Sequence, residues 1–118
     1  MKITIPMKLP SLNDYIDVCR QNRYEAAKFK RELEGQIGLF LGRMPRFKKP
    51  VTIHAHWVER DARRDPDNIA SAKKFILDAM VKKGKLKDDS MRYVKGFEDT
   101  FEVGDGWRVI LNIKEEEA

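Results

Sequence analysis

The chain is organised around the segment Ala62–Ser90, which reads ARRDPDNIASAKKFILDAMVKKGKLKDDS. One aspartate pair, Asp65 and Asp67, lies near its start, and a second pair, Asp88 and Asp89, lies near its end. Lysines are spread between the two pairs, and apolar residues recur between them at helical spacing. The segment therefore predicts a helix with acidic residues at both of its ends.

The predicted helix begins at Pro66 and ends at the break formed by Gly84. Proline suits the first helical position because its missing N–H has no partner there, and Asp65 suits the N-cap. At about 100° per residue, one side of this helix is polar and the opposite side is apolar. The polar stripe contains Asp67, Ser71, Lys74 and Asp78, and the apolar side contains Ile69, Ala72, Ile76, Ala79 and Met80.

The two aspartate pairs are candidate metal ligands. Asp65 and Asp67 are separated by one residue and can share an ion, although on this segment alone ordinary helix capping is the favoured explanation. Asp88 and Asp89 follow the Gly84 break and can fold back toward the first pair, with a solvated turn as the alternative. Three or four carboxylates brought together need a neutralising cation, and oxygen-only ligands suit Mg²⁺ or Mn²⁺.

Lys74 shares the polar face of Asp67, whereas Lys73 does not. The two residues lie roughly 10.5 Å apart along the axis of the predicted helix, and lysine side chains lean toward the helix amino terminus. Lys74 can therefore approach a phosphate held near Asp67 and stabilise its charge, or help to position an attacking water. The alternative is that both lysines are plain surface residues.

Cations surround the acidic residues of this segment. They are Arg60, Arg63 and Arg64 before the helix, Lys73 on it, and Lys82, Lys83, Lys85 and Lys87 after it. The whole chain of 118 residues has a net charge of +5, which favours a polyanionic partner through phosphate contacts. A merely soluble basic surface is the alternative. An acidic centre with a cationic rim fits a nuclease better than an enzyme acting on a small phosphate compound.

Outside this segment, the amino-terminal half shows one strand and one long helix. Alternation over Lys2–Met7 predicts a strand, and Pro6 indicates either a sheet edge or the end of the strand. Asp14–Asn22 has no convincing period and is predicted to be a loop or short arm. Arg23–Arg43 has an apolar stripe at helical spacing. The basic segment Arg43–Pro50 is either a solvated loop or a phosphate-contacting one.

Val51–Val58 alternates and is predicted to be a strand, with His54 and His56 on one of its faces. Such a histidine pair can bind a transition metal, but two ligands do not make a site. The alternative is that both histidines face solvent or nucleic acid.

Arg92–Val103 is predicted to form one strand or two short ones, and Trp107–Ile113 a further strand. Gly104–Gly106 is typical of a tight hairpin turn, because both glycines accept positive φ. The last two strands are therefore expected to be antiparallel neighbours, followed by the short acidic tail Glu115–Glu117.

Together these patterns predict a single domain covering residues 1–118. Its class is α+β, with a small mixed sheet, two main helices and the order strand, helix, strand, helix, strand, strand. The single cysteine, Cys19, is expected to be an inert, partly buried thiol in a reducing compartment. No apolar run is long enough to span a bilayer and no signal peptide core is present, so we expect a cytoplasmic protein without a membrane partner.

The sequence resembles the RusA family of Holliday junction resolvases, many of which are phage-borne. The resemblance rests on four features in the same order and spacing. They are Pro-Ser-Leu-Asn-Asp-Tyr at 10–15, Arg-Arg-Asp-Pro-Asp-Asn at 63–68, Lys-Phe-Ile-Leu-Asp-Ala at 74–79, and Gly84 followed by Asp88 and Asp89. Together they extend over most of the chain.

This resemblance implies a RusA-like homodimer that cleaves four-way DNA junctions with Mg²⁺, leaving ligatable nicks, and that needs no organic cofactor. It implies that Asp65, Asp67 and Asp89 are catalytic metal ligands, with Asp88 as a further candidate, and that Lys74 is the catalytic lysine. DNA contacts are expected from Asn13, Arg63, Arg64, Lys73, Lys82, Lys83, Lys85 and Lys87. Two alternatives stay open, namely a junction-binding protein without turnover and a less selective nuclease that cuts flaps or single strands.

Overall fold

Residues 1–116 are described by a computed structural model, in which four strands and four helices follow one another along the chain. They are β1 (Lys2–Ile5), α1 (Leu12–Gln21), α2 (Arg23–Gly38), β2 (Val51–Glu59), α3 (Pro66–Ala70), α4 (Lys73–Lys82), β3 (Val94–Val103) and β4 (Arg108–Glu115). The class is α+β with a mixed sheet, as predicted. Of the predicted acidic tail, Glu115 ends β4, and Glu117 lies outside the described residues.

The four strands form one sheet in the order β1-β4-β2-β3. β2 is internal and pairs with β4 in antiparallel fashion and with β3 in parallel fashion. β1 pairs with β4 at one edge, which confirms the edge position, one of the two indicated by Pro6. The parallel neighbour β3 is reached through α3 and α4, as a parallel connection requires a crossover that returns the chain to the same end of the sheet.

The prediction that the last two strands form a hairpin is wrong, because β2 lies between β3 and β4. The connection after β3 instead passes over the end of β2. Gly104 donates its backbone N–H to the Glu59 carbonyl at 2.8 Å, and a Cβ on Gly104 would lie 2.8 Å from the Val58 side chain. Glycine is needed here for close approach, whereas the local pattern alone favoured a tight turn.

The prediction of a loop over Asp14–Asn22 is also wrong, since these residues belong largely to α1. Its start is fixed by a capping box, in which Ser11 and Asp14 exchange side-chain and backbone hydrogen bonds. All ten residues of α1 are described and none is buried. Leu12, Tyr15, Ile16 and Cys19 nevertheless recur at helical spacing, so an apolar period is present and the loop prediction overlooked it.

The long helix predicted after Pro66 is divided into α3 and α4 at Ser71 and Ala72. The Ser71 hydroxyl donates to the Asn68 carbonyl at 2.6 Å and accepts from the Leu12 backbone N–H at 2.9 Å. A serine hydroxyl that bonds the preceding turn competes with the regular helical pattern. The break therefore comes from a contact with the start of α1.

The buried residues form one hydrophobic cluster between the helices and one face of the sheet. The predicted apolar side of the central helices is buried as expected, from Ile69 to Met80. Helix α2 ends at Gly38, earlier than predicted, and Phe40 is partly exposed. Cys19 is exposed, which corrects the expectation of a partly buried thiol. Within the described part of the chain, no helix is both long and apolar enough to cross a membrane.

Candidate active site

Lys74, on α4, contacts the far end of the Ala62–Ser90 segment. Its ammonium nitrogen lies 3.2 Å from Asp78 Oδ1, one turn further along α4, and 3.5 Å from Asp89 Oδ2, in the loop beyond the Gly84 turn. About half of the Lys74 side chain is exposed. The structure thus places the predicted catalytic lysine against one of the predicted metal ligands, at a solvent-accessible position.

Lys74 belongs to a chain of alternating charges that joins α2 to α4. The second oxygen of Asp78 lies 3.2 Å from the Lys30 ammonium, and Lys30 lies 3.7 Å from the buried carboxylate of Glu34. Glu34 also accepts from Lys82 at 3.1 Å. Because Asp78 is held between two cations, it fixes the position of Lys74 on the surface of α4.

Two pKa shifts describe the charges in this region. The hydrogen bond to Asp78 raises the pKa of Lys74 above the ordinary value of 10.5, outweighing partial burial, and the charges of Asp78 and Asp89 raise it further. Hydrogen bonds from the side chain and backbone of Ser90 lower the pKa of Asp88. Lys74 is therefore a cation at neutral pH, and Asp88 is an anion that closes the turn to Ser90.

The other aspartate pair lies at the start of α3. Asp65 occupies the N-cap and Pro66 the first turn, as predicted. The Asp65 side chain, however, makes no capping hydrogen bond to the described helix. Asp65 and Asp67 are both exposed, so their carboxylates are accessible to a ligand from solvent.

The predicted Pro-Ser-Leu-Asn-Asp-Tyr motif packs against this helix start. The Asn13 amide donates to the Asn68 side-chain oxygen at 3.0 Å, across 55 positions of sequence. The nearby contact from the Leu12 backbone to Ser71 binds the same two segments together. Two motifs that are distant in sequence therefore form one surface, with Asp65 and Asp67 on its α3 side.

The predicted metal ligands fit a divalent cation in their chemistry but are not gathered around one point. Their donors are carboxylate oxygens, which suit Mg²⁺ and Mn²⁺. Among residues 1–116, no three acidic, histidine or cysteine side chains are grouped closely enough to hold an ion. Assembly of a site by Asp65, Asp67 and Asp89 therefore requires these exposed side chains to come closer together than they stand here.

Two predicted DNA-binding residues are engaged within the fold. Arg64 makes a two-pronged contact with the buried carboxylate of Glu59, at 2.8 and 2.9 Å, and also donates to the Leu9 carbonyl. Lys73 pairs with Asp99 on β3 and lies over the Phe97 ring, 4.3 Å from its centroid.

Asp99 also accepts from the Trp57 indole N–H. Lys73 therefore joins α4 to β3, whereas Arg64 joins the segment before α3 to the end of β2 and to Leu9.

The remaining predicted DNA contacts lie at the surface. The Arg63 side chain is 88% exposed, 3.9 Å from Asp61. Lys82, Lys83 and Lys87 are exposed and Lys85 is half-buried. These side chains are accessible to a large ligand, unlike Arg64.

His54 and His56 lie on the sheet face opposite the helices, as the alternation predicted. Both hydrogen-bond to the Thr100 hydroxyl, at 2.8 and 2.6 Å, and the far nitrogen of His56 lies 2.9 Å from Glu102. The Thr100 hydroxyl thus connects both rings of β2 to β3. The pair lies on a different face of the sheet from Lys74.

Sequence reasoning missed the roles of Lys30, Glu34 and Glu59. Lys30 and Glu34 have helical ion-pair spacing on α2, but their contacts with Asp78 and Lys82 on α4 depend on how the two helices pack. Glu59 lies five positions before Arg64, a separation that corresponds to no regular local pattern. Asp78 did carry a signal, since an acidic residue four positions after Lys74 is a helical ion-pair spacing.

Comparison with protein-family models finds no matching family, and comparison with curated proteins finds no match.

Proposed function

We propose that this protein is a Mg²⁺-dependent, structure-selective DNA endonuclease that resolves four-way junctions as a two-fold homodimer, in the manner of the RusA family it resembles. The observation that carries the proposal is the contact between Lys74 and Asp89. It joins the predicted catalytic lysine to a predicted metal ligand from the far end of the segment.

Several further features support this proposal. The Asp65 carboxylate makes no capping hydrogen bond to α3, and in the same helix Asn68 accepts a hydrogen bond from Asn13. The net charge of +5 favours a polyanionic substrate. The exposed positions of Arg63, Lys83 and Lys87 leave cations available around the acidic residues.

The proposed reaction is hydrolysis of a phosphodiester. A water oxygen bonds to phosphorus, the bond to one ester oxygen breaks, and the products are one phosphate end and one hydroxyl end. Asp65, Asp67 and Asp89 would hold Mg²⁺, which when bound supplies positive charge to the phosphoryl oxygens.

In this reaction the chain's own cation, Lys74, stabilises negative charge that grows on the phosphate oxygens. Its raised pKa keeps it protonated at neutral pH, so it serves as a charge and hydrogen-bond donor rather than as a base. Asp78 holds it in position.

The symmetry of the proposed substrate supports a two-fold dimer, as does the resemblance to the RusA family. A four-way junction has two equivalent strands to cut, and a two-fold dimer presents two identical sites to them. Each site then hydrolyses one phosphodiester, which gives paired nicks.

The test is cleavage of a synthetic four-way junction by purified protein with Mg²⁺. We expect paired cuts that stop when EDTA removes the metal and that are lost in Asp67→Asn. Asp61→Asn is the matched control, because Asp61 is an exposed aspartate outside the proposed ligand set. Absence of cutting at every protein concentration, or full activity in Asp67→Asn, would contradict the proposal.

The same assay separates the two alternatives. Tight, salt-sensitive junction binding without turnover would identify a junction-binding protein. Equal or faster cutting of flaps or single strands would identify a less selective nuclease.

A further inference from the structure

We infer that Arg43–Lys49 and Lys82–Lys87 form one continuous cationic surface that binds the phosphate backbone of a nucleic acid arm leading to Asp89. This inference rests on the proposed function, because it extends the DNA contacts of the same site. It adds Arg43, Arg46, Lys48 and Lys49, which lie far from the Ala62–Ser90 segment in sequence.

The fold brings these two basic segments into direct contact. The Phe47 backbone N–H donates to the Lys85 carbonyl at 2.9 Å. The Arg46 guanidinium lies against the turn at Gly84, where a Cβ would come within 3.3 Å of it. Gly84 has a φ of +72°, so glycine provides both the turn and the space in which Arg46 rests.

The charge on this surface is out of proportion to the rest of the chain. The two segments contain eight of the 24 Lys and Arg residues and none of the 19 Asp and Glu residues. The remaining chain therefore has 16 cations against 19 acids. The excess positive charge of the molecule is confined to this surface, which is the distribution expected for a phosphate-binding face.

Most of these cations are also accessible. Arg43, Arg46, Lys48, Lys49, Lys82, Lys83 and Lys87 are exposed, and Lys85 is half-buried. Among the described residues, Lys82 is the one member of the eight that forms an ion pair with a carboxylate, at 3.1 Å from Glu34. Within residues 1–116, the other seven cations form no ion pair with a carboxylate.

The surface has a defined direction. At one end, the Lys49 backbone N–H donates to Glu115 at 3.2 Å, so an acidic residue marks its limit. At the other end, Lys87 is followed directly by Asp88 and Asp89, and Asp89 contacts Lys74. A duplex arm lying on the cations would therefore extend away from the proposed reaction site.

A nucleic acid fits this surface better than an anionic membrane. Charge alone attracts a basic segment to an anionic lipid surface, but stable membrane-surface binding adds exposed apolar side chains that enter the lipid. The apolar residues Met44 and Leu86 of the two segments are instead buried, at 2% and 3% exposure. The surface offers charge without an inserting apolar group.

The test measures binding of a labelled four-way junction in EDTA, so that cleavage does not interfere, over a range of salt concentrations. The variant is Arg43→Gln/Lys48→Gln/Lys49→Gln, which leaves Arg46 in its place against Gly84. The matched control is Arg20→Gln/Lys28→Gln/Arg31→Gln, which removes the same charge from exposed positions of α1 and α2. Circular dichroism establishes that all three proteins are folded.

We expect weaker binding by the surface variant and a slope of log affinity against log salt smaller by about 2.7, at 0.9 for each of three lost phosphate contacts. The control should keep the wild-type slope. An unchanged slope in the surface variant, or equal losses in both variants, would overturn the inference, as would preference for anionic vesicles over DNA. If the wild type binds through this surface but shows no Mg²⁺-dependent cutting, the result supports the inference and contradicts the proposed nuclease activity.

Discussion

At the scale of single residues, neighbouring side chains of the same type have different roles. Arg63 is almost fully exposed, whereas Arg64 is held by Glu59 and the Leu9 carbonyl. Lys73 faces the sheet and Asp99, whereas Lys74 faces Asp78 and Asp89. The direction of each side chain, rather than its chemistry, separates structural cations from those available to a substrate.

The arginine pair gives a stability prediction. Arg64→Ala leaves the buried Glu59 carboxylate without its partner, so the free energy of unfolding should fall by about 3 kcal/mol. Arg63→Ala, the matched control, should change it by less than about 0.5 kcal/mol. Urea unfolding measures both values, and similar effects of the two substitutions would contradict a structural role for Arg64.

The lysine pair gives a prediction about turnover. Lys74→Ala should lower the rate of junction cleavage about 100-fold while junction binding persists, because it removes charge stabilisation in the transition state. Lys73→Ala should act mainly on stability, since it separates α4 from Asp99. Single-turnover cleavage and thermal unfolding of both variants distinguish these effects, and equal loss of turnover would refute the assignment of Lys74.

At the scale of elements, α2 and α4 are joined by apolar packing and by the alternating charges around Asp78. Burial lowers the pKa of Lys30, but its contacts with Asp78 and Glu34 outweigh burial and leave that pKa raised. The pKa of Lys74 is raised as well, through Asp78 first. A group with a raised folded-state pKa stabilises the fold while it is protonated, and this stabilisation is lost as the pH rises through the raised value.

Asp78→Asn tests this link through its pH dependence. The variant should have a lower Tm than the wild type, and the difference should be constant near neutral pH. It should shrink as the pH rises beyond 10.5 and the two lysines lose their protons. Thermal melts at several pH values measure it. A difference that stays constant through the alkaline range would show that Asp78 acts through something other than these cations.

At the scale of the whole molecule, the sheet order places all helices on one face of β2 and brings the charged loops together at the ends of α4. The parallel pairing of β2 with β3 requires the α3–α4 crossover. That crossover is the segment that carries the aspartates and Lys74. The topology thus explains why residues of one continuous segment meet basic residues from the loop before β2.

The proposed dimer predicts that mixed dimers and wild-type dimers give different cleavage products. Mixed dimers of wild-type and Asp67→Asn subunits should nick a cruciform plasmid but should not linearise it, because one of the two sites is inactive. Wild-type dimers should give linear product. Agarose gels measure both forms, and light scattering measures the mass of the assembly. Linear product from mixed dimers, or a monomer that retains paired cutting, would contradict the two-site arrangement.

The local pattern of residues was sufficient for the strands, for most of α2 and for the buried side of the central helices, and it singled out Asp65, Asp67, Asp89 and Lys74 as candidates. These features follow from side-chain period and helix capping, which act over a few neighbouring positions. The pattern was insufficient at the Ser71 break and at the Gly104–Gly106 turn, where these residues contact distant parts of the chain. At α1 the capping box and the apolar spacing are local signals that the loop prediction overlooked.

Tertiary contacts fixed the rest. Four features depend on how separate parts of the chain pack: the separation of β3 from β4, the contact of Arg64 with buried Glu59, the pairing of Lys74 with Asp89, and the contact of Arg46 with the Gly84 turn. Such contacts depend on strand order and on the direction of each side chain, which emerge only when the elements pack. Within Ala62–Ser90, the sequence identified the charged residues. Only the tertiary structure showed which of these charges hold the fold together and which are accessible to a ligand.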